Sequence, residues 1–371
     1  MRIRSLDVTL VDVPLDFALR GSTYTIDRRS TVVVRLETDE GVVGRTYTGD
    51  EKKRLPELGR LITDDIAPRI IGRDVFSTEA ISAELLPLSG RWSDRGDQAL
   101  WMQAVSAVDT ALWDTVGKAL DVPLWKLWGG VRSSIPVILI GGYYEQGKTL
   151  GELVDEIHGY RQLGIAGIKL KVGGLSPAED IERFRAVREA MGEDFIIACD
   201  ANRGYTIPEA IEFARRSEAE GLDMRWFEEP VVWYDEYRGM QEVRRSTSVP
   251  VCAGQSEIAP QAARMLITDG CVDVLNFDAS WGGGPTVWRK TAGLAQLMGV
   301  ELAHHEEAQV SSHLLCANPN GTYAEIFHPE RDPVVFNLTD MLDLRDGLLH
   351  LSDRPGLGLR FDEEFIARYR L

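Results

Sequence analysis

The sequence predicts an α/β protein whose larger part is a parallel barrel of eight strands. From residue 135 to residue 327, short apolar runs alternate with amphipathic helical patterns. Seven of these runs end on a polar residue, and the seven residues recur every 20–29 positions. That spacing is close to the roughly 30 residues of one strand–helix unit. In chain order they are Lys171, Asp200, Glu228, Gln255, Asp278, His305 and Glu325.

The most informative strand is residues 167–173, where apolar residues alternate with Lys169 and Lys171. By itself this run favours an edge strand with two solvated lysines, because a buried ammonium needs a partner or a ligand. The charges that close the next two runs, Asp200 and Glu228, change the interpretation. The carboxyl ends of parallel barrel strands meet at one mouth, where catalytic groups lie. We therefore expect an active site there and not a solvated face.

The predicted barrel strands are apolar runs bounded by turn residues. They cover residues 135–141, 167–173, 195–200, 224–228, 251–255, 272–278, 300–305 and 322–327. Capping boxes start two of the intervening helices, at Ser176 with Glu179 and at Thr206 with Glu209. The other helices are predicted over residues 148–161, about 236–245, 260–268, 285–298 and 309–317.

Residues 1–125 do not follow this rhythm and predict an α+β domain, because strands come first and helices follow. The strands are predicted over 4–13, 31–37 and 42–47, and the helices over 55–70, 78–86 and 100–120. We expect the loops at 18–27 and 47–53 to close over the neighbouring site; they carry Arg20, Tyr24, Tyr47 and Asp50. The barrel domain is then 126–329, and the segment 330–371 is expected to return to the N-terminal domain.

Composition restricts the partners. The chain has 371 residues and a net charge of −17, which argues against nucleic acid or an anionic membrane surface. Its first 20 residues contain no signal-peptide core, and no apolar run approaches the ~20 residues of a membrane span. The four cysteines form no CxxC pair, so we expect reduced thiols in a cytoplasmic protein.

The strand-end carboxylates suit a hard cation. Asp200 and Glu228 converge without histidine or cysteine, and Mg²⁺ commonly takes a few carboxylates plus substrate oxygens. The alternative is that they form ion pairs with Lys169 and Lys171. Both interpretations can hold together, but ion pairs alone would not require so many charges at one mouth.

Two groups are candidates for moving protons. Lys171 is expected to have a lowered pKa, because a dication and Lys169 both disfavour its protonation. Asp278 and His305 lie on successive strand ends and can be adjacent. A carboxylate on one ring nitrogen fixes the tautomer and leaves the other nitrogen free to exchange protons.

Taken together, these residues resemble the mandelate racemase group of the enolase superfamily over essentially the whole chain. The resemblance implies a capping α+β domain on a modified (β/α)₇β barrel, with Mg²⁺ binding the carboxylate of a 2-hydroxy acid. It also implies removal of the α-proton to give a metal-stabilised enediolate. The matching pieces are Lys169-Leu-Lys171, Asp200-Ala-Asn202, Trp226-Phe-Glu-Glu-Pro230, Asp278 with Gly282-Gly283-Gly284, His305 and Glu325.

The resemblance also implies a role for each matching residue. Lys171 resembles the base on one face of the substrate, assisted by Lys169. His305, oriented by Asp278, resembles the acid or base on the other face. Glu325 resembles the group that hydrogen-bonds the developing enediolate oxygen.

Metal ligation falls on Asp200, Glu228 and the residue after Gly254. The family usually has a glutamate there, whereas this chain has Gln255, with Glu257 as an alternative ligand two residues on. The resemblance further suggests a homo-oligomer.

The leading hypothesis is a Mg²⁺-dependent acid-sugar dehydratase that forms a 2-keto-3-deoxy acid from a small carboxylate substrate. The expected substrate-binding groups are Asn202, Tyr47, Arg20 and Tyr24. A racemase, epimerase or cycloisomerase using the same two bases is the second hypothesis. The third is a non-catalytic barrel whose strand-end charges only form ion pairs.

Overall fold

The computed structural model describes residues 1–49, 54–88, 97–235, 237–340 and 342–371. Its N-terminal part begins with a three-stranded antiparallel sheet. Its strands are β1 (Ile3–Arg20), β2 (Thr25–Thr38) and β3 (Val43–Tyr47), in that order. The β1–β2 hairpin is longer than predicted, because pairing resumes at Leu19 with Ile26 after a register shift beyond Pro14. Only residues 21–24 of the predicted 18–27 loop remain outside the strands.

One face of this sheet is covered by helices. The helices that follow the sheet in the chain are α1 (Leu55–Arg60), a π-helical turn (Leu61–Ile66), α2 (Ala67–Ile70), α3 (Thr78–Leu85), α4 (Gln98–Ala119) and α5 (Leu124–Leu127). The long α4 is capped by Asp97, which accepts from two backbone N–H groups of its first turn. Its apolar residues form one core with Val32, Val34 and Leu36 of β2. Asp50, predicted to lie in a closing loop, is outside the described residues.

The larger domain alternates strands and helices, as predicted. In order these are β4 (Ser134–Gly141), α6 (Leu150–Arg161), β5 (Gly167–Lys171), α7 (Pro177–Met191), β6 (Ile196–Asp200), α8 (Ile207–Ala219), β7 (Met224–Glu228), α9 (Arg238–Ser246), β8 (Val251–Ala253), α10 (Pro260–Thr268), β9 (Val274–Leu275), α11 (Gly284–Leu297), β10 (Glu301–Leu302), α12 (Ala308–Cys316) and β11 (Ala324–Phe327). Glu236, the predicted start of α9, lies outside the described residues.

The strands form a parallel barrel. Each of β4 to β9 pairs with the next strand, and β11 pairs with β4. Between β10 and β11 the contact is an isolated bridge, in which Leu302 donates its N–H to the Asn320 carbonyl at 2.8 Å and accepts from the Thr322 N–H at 2.8 Å. Side chains from alternating positions fill the interior beneath the mouth; they include Ile138, Ala198, Trp226, Cys252, Val274 and Ala303.

Three predicted strands end before the polar residue that was expected to close them. β8, β9 and β10 stop at residues 253, 275 and 302, so Gln255, Asp278 and His305 lie in the loops that follow them. Gly254 has φ +138°, a conformation that residues with a Cβ rarely adopt, and it turns the chain out of β8. These side chains therefore sit on the rim of the barrel and not on the strands themselves.

The C-terminal segment packs on the N-terminal sheet, as predicted. It contains α13 (Pro333–Asn337), β12 (Asp343–Arg345), β13 (Leu348–His350) and α14 (Glu363–Tyr369). Val334, Leu338 and Ile366 share a core with β1 and β2, while β13 pairs antiparallel with β4. Within the described parts of the chain, no helix is long and apolar enough to span a membrane.

The glycine run 282–284 joins the two domains. Both oxygens of Asp109, on α4, accept from Thr286 at the start of α11: one from the backbone N–H at 2.8 Å and the other from the hydroxyl at 2.8 Å. A Cβ on Gly284, whose φ is +85°, would lie 2.4 Å from a carboxylate oxygen of Asp109. Glycine at position 284 is therefore required for α4 of the N-terminal domain to pack against the start of α11.

We expect Asp109→Asn to stabilise the protein at pH 8 and much less at pH 5. Burial raises the pKa of Asp109 to about 7, with Thr286 opposing it. The folded state thus holds a proton that the unfolded chain releases near pH 4, so this group's ionisation costs stability as the pH rises from 4 to 7. The full cost is about 4 kcal/mol, and asparagine removes it while keeping an oxygen for Thr286.

Melting temperatures of Asp109→Asn and wild type at pH 5 and pH 8 measure this effect. The difference between the two proteins should widen in favour of the variant at pH 8. Asp64→Asn, at an exposed position, controls for a general change of net charge. An equal difference at both pH values would contradict the assignment.

Candidate active site

Lys169 is the centre of a buried charge cluster at the barrel mouth. Its Nζ lies 2.9 Å from Glu228 Oε1, 2.7 Å from Glu325 Oε2 and 3.8 Å from Asp200 Oδ2, and all four side chains are buried. Burial lowers the pKa of Lys169, but the three carboxylates outweigh it and raise the pKa above its ordinary value. The predicted ion pairs therefore form, and Lys169 is held as an ammonium.

Lys171 lies on the same face of β5 and faces a different set of groups. Its Nζ donates to Asp200 Oδ2 at 2.7 Å and to Asn202 Oδ1 at 3.0 Å. It also lies 5.6 Å from the ring centroids of Tyr24 and Tyr143. Tyr143 was not predicted, although its position just after the first barrel strand was a signal that could have identified it.

The predicted lowering of the Lys171 pKa requires a bound dication and stays a prediction; the protein groups alone shift this pKa the other way. Burial does lower the pKa of Lys171, but the adjacent Asp200 carboxylate outweighs burial and raises the pKa well above its ordinary value. Asp200 responds in the opposite direction: burial raises its pKa, and the stronger pull of Lys171 and Lys169 leaves it lowered. The prediction assumed a neighbouring cation and gave no weight to this direct ion pair.

The three predicted metal ligands lie on or directly after three adjacent strands. Asp200 and Glu228 are register partners in β6 and β7. Gln255, after β8, donates its backbone N–H to Asn276 Oδ1 at 3.1 Å, and Asn276 donates to Glu228 Oε1 at 2.7 Å. The side-chain amide of Asn276 therefore links the loop that carries Gln255 to Glu228 through two hydrogen bonds.

The side-chain oxygen of Gln255 fits a cation. It is buried and finds no hydrogen-bond donor among the described residues, which is costly for an amide oxygen unless a ligand takes it. The same part of the chain contains no group of three or more His, Cys, Asp and Glu side chains arranged to hold a metal. A donor set of two carboxylates and one neutral amide agrees with both observations.

Glu257, the alternative ligand, has a different partner. Its Oε2 accepts from the Tyr237 hydroxyl at 2.8 Å. Burial raises the pKa of Glu257 to about 7, with the Tyr237 hydrogen bond opposing it. Among the described residues Glu257 forms no ion pair with Lys169, which is surrounded by three other carboxylates.

His305 is partly buried and lies between two carboxylates. Its Nδ1 is 3.0 Å from Asp278 Oδ2, as predicted, and its Nε2 is 3.3 Å from Glu306 Oε1. The neighbouring His304 is structural: its Nε2 accepts from the Ala279 N–H at 2.9 Å, and its Nδ1 lies 2.7 Å from the His305 carbonyl. Sequence reasoning missed Glu306, although its place next to His305 marked it.

Glu325 presents one free oxygen to the site. Its Oε2 accepts from Lys169, whereas its buried Oε1 has no donor among the described residues. An unsatisfied carboxylate oxygen at the mouth is available for a substrate oxygen that carries or shares a proton.

The predicted substrate-binding residues divide into two groups. Arg20 and Tyr24 line a cavity of about 950 Å³ between the β1–β2 hairpin and the loops after β4 and β5, and Asn202 contacts Lys171. Tyr47 lies apart from these residues, and its predicted role in substrate binding stays a prediction. It is buried in the core that the C-terminal segment covers, and its hydroxyl donates to Gln309 Oε1 at 2.6 Å.

Two family models match this chain. The model described as mandelate racemase / muconate lactonizing enzyme, N-terminal domain, matches residues 5–129. The model described as enolase C-terminal domain-like matches residues 152–365. The chain is 30% identical to an arabinonate dehydratase of Saccharolobus solfataricus, over 91% of this chain and 90% of that protein. Other relatives are named as cycloisomerases and epimerases.

Solved structures agree in fold along the whole chain. A mandelate racemase/muconate lactonizing enzyme from a marine actinobacterium, in complex with magnesium, is 46% identical with a TM-score of 0.92, covering 100% of this chain and 99% of that one. The L-talarate/galactarate dehydratase of Salmonella typhimurium, liganded with Mg and L-lyxarohydroxamate, is 28% identical with a TM-score of 0.90, covering 100% and 93%. This chain belongs to the mandelate racemase/muconate lactonizing enzyme family of the enolase superfamily.

Proposed function

We propose that this protein is a Mg²⁺-dependent dehydratase of acid sugars, which converts an aldonate or aldarate into a 2-keto-3-deoxy acid. The observation that carries the proposal is that two proton-transfer groups lie on opposite sides of the barrel mouth. Lys171 on β5 and His305 after β10 come from strands separated by two or more others in either direction around the barrel. Between them lies the Glu325 carboxylate, with one free oxygen.

The relatives favour the same class of substrate. One is named as an arabinonate dehydratase, and another is crystallised with Mg and a sugar-acid hydroxamate. In the proposal, Asp200, Glu228 and Gln255 hold Mg²⁺. When bound, the ion supplies positive charge that makes the α-proton of a carboxylate substrate easier to remove.

The protein groups carry the proton transfers. Lys171 takes the α-proton from C2, and Glu325 in its protonated form donates a hydrogen bond from its free oxygen to the oxygen on which charge develops. The C3–O bond then breaks with its electron pair on oxygen, and His305 Nε2–H gives that oxygen a proton, so that water leaves. The remaining enol takes a proton at C3 and loses its hydroxyl proton, which yields the 2-keto acid.

A racemase or epimerase is the second candidate function. Two proton-transfer groups on opposite sides of one carbon are what reprotonation from the other face requires. A library of acid sugars with a colour assay for 2-keto acids decides between the two. Exchange of the α-proton with deuterated solvent, without keto acid, would identify the isomerase. Neither exchange nor keto acid from any substrate, together with no Mg²⁺ binding in calorimetry, would leave the non-catalytic barrel.

Replacing Gln255 by alanine should weaken Mg²⁺ binding at least about tenfold, while Glu257→Ala should leave it nearly unchanged. Gln255 offers an unsatisfied buried oxygen, whereas Glu257 is bonded to Tyr237. Gln255→Glu should bind Mg²⁺ more tightly than wild type, because it raises the charge of the donor set from −2 to about −3. Calorimetric titration measures all three variants. Loss of the metal in Glu257→Ala alone would show that Glu257 is the ligand.

A further inference from the structure

Glu306 occupies an unusual place beside His305. Both Glu306 and Glu307 have positive φ, +48° and +49°, which is uncommon for residues with a Cβ. Strained backbone of this kind persists where the surroundings enforce it, and it concentrates at functional sites. Here it turns the chain directly after His305, so that the Glu306 carboxylate comes back to Nε2 of the preceding residue.

The capping domain anchors this carboxylate. Arg29, on β2, lies 3.0 Å from Glu306 Oε2 and 3.0 Å from Asp332 Oδ2 of the C-terminal segment. All three side chains are largely buried. Because Arg29 holds one oxygen of Glu306, the other oxygen stays directed at His305. The capping sheet thereby reaches a group in the barrel mouth through one intermediate residue.

We propose that Glu306 is a positioning residue that keeps His305 protonated, so that the histidine meets the substrate as an acid and not as a base. With Asp278 on Nδ1 and Glu306 on Nε2, both ring nitrogens face carboxylate oxygens, and only the imidazolium can donate to both. This inference rests on the proposed dehydratase function, in which His305 gives its proton to the leaving hydroxyl.

The charges around the pair agree with this direction. Burial lowers the pKa of His305, but Glu306 and Asp278 outweigh it and raise the pKa well above its ordinary value. Burial raises the pKa of Glu306, and the stronger pull of Arg29 and His305 leaves it well below its usual range. The other titratable groups that face the pair are Glu229, His304, Tyr143, Glu307, Asp332 and Glu325.

The contact leaves room for the substrate. At 3.3 Å, the distance from His305 Nε2 to Glu306 is at the long end of a hydrogen bond. A substrate hydroxyl can therefore replace Glu306 as the acceptor, and the proton moves from Nε2 to that oxygen as the C3–O bond breaks. His305 ends neutral, and solvent restores its proton while Lys171 releases the one it took.

The test is the titration of His305 in the Mg²⁺-loaded protein, followed by NMR of ¹³C-labelled histidine. His305→Asn assigns the signal among the six histidines. In Glu306→Gln the titration midpoint should fall by about one unit or more, the size of effect expected from one adjacent opposite charge. Glu307→Gln is the matched control, because it replaces a neighbouring buried carboxyl group that is 4.0 Å from the same Arg29. That variant should leave the midpoint in place.

A midpoint that is the same in Glu306→Gln and wild type would overturn the inference. Should Glu306→Gln fail to fold, Glu306→Asp decides. It keeps the charge for Arg29 but withdraws the oxygen from His305, so the midpoint should still fall, by less.

In active protein, the alkaline limb of the pH–rate profile should move down with the midpoint in Glu306→Gln. The titration is read without substrate. If no acid sugar is dehydrated but the midpoint falls, the proposed function fails and the role of Glu306 stands.

Discussion

Replacing Lys171 by methionine is expected to reduce turnover by about 10⁴-fold, the upper end of what one positioned acid–base group contributes. The lysine Nζ is the donor to both Asp200 and Asn202 at the mouth, and methionine fills similar space without a proton to exchange. The rate of keto-acid formation, with each substrate found in the library, measures the loss. Exchange of the α-proton should disappear with it.

The fold should survive this change. In the variant, Asp200 still accepts from the Asn202 backbone N–H at 2.9 Å and still lies 3.8 Å from the Lys169 ammonium. Its charge therefore remains partnered. Mg²⁺ should bind at least as tightly as in wild type, because a positive charge next to the ligands has been removed. Lys118→Met, which removes a partly exposed lysine paired with Asp114, is the control for losing one ion pair. Full activity in Lys171→Met would exclude this lysine as the base.

His305→Asn should lower keto-acid formation by about 10³-fold while Lys171 continues to exchange the substrate α-proton with deuterated solvent. The two effects separate because proton abstraction and departure of the hydroxyl use groups on different sides of the mouth. Asparagine keeps a polar side chain beside Asp278 but has no ionisable proton to give. Mass spectrometry of recovered substrate measures the exchange, and the keto-acid assay measures the product.

Each other outcome of the His305 variant has a definite meaning. If exchange disappears together with product, His305 is the base and Lys171 the partner on the other face. If product formation is unchanged, His305 is not the acid. His328→Asn is the matched control, since this histidine also follows a barrel strand but stacks on Tyr160. It should retain activity.

The barrel itself was predictable because its signals are local. Apolar runs of five to seven residues, closing polar residues and capping boxes all act within one strand or helix, so their spacing predicted the number and order of the strands. Strand ends were less predictable. A two-residue strand such as β9 or β10 is defined by its neighbours' hydrogen bonds, and Asp278 and His305 proved to lie in loops beyond those strands.

Other features depend on contacts that join distant parts of the chain. Tyr47 lies at the start of a predicted loop. In the structure the C-terminal segment covers it, and its hydroxyl donates a hydrogen bond to Gln309. Tyr143 carries no local signal beyond its strand end, and only packing brings its ring near Lys171. The direction of the Lys171 pKa also depended on tertiary structure, because the distance to Asp200 sets the size of the ion pair.

By itself, the sequence determined the class of fold, the identity of the strand-end residues and the presence of a neutral residue at the third ligand position. Tertiary structure alone decided which of those residues share partners. It grouped Lys169 with three carboxylates and enclosed His305 between Asp278 and Glu306. It also brought Arg29, 277 residues away in sequence, onto that glutamate. The physical reason is the distance over which each effect acts. Strand and helix patterns arise from residues that are close in sequence. The protonation state of a side chain is fixed by charges a few ångströms away, on residues that only folding brings together.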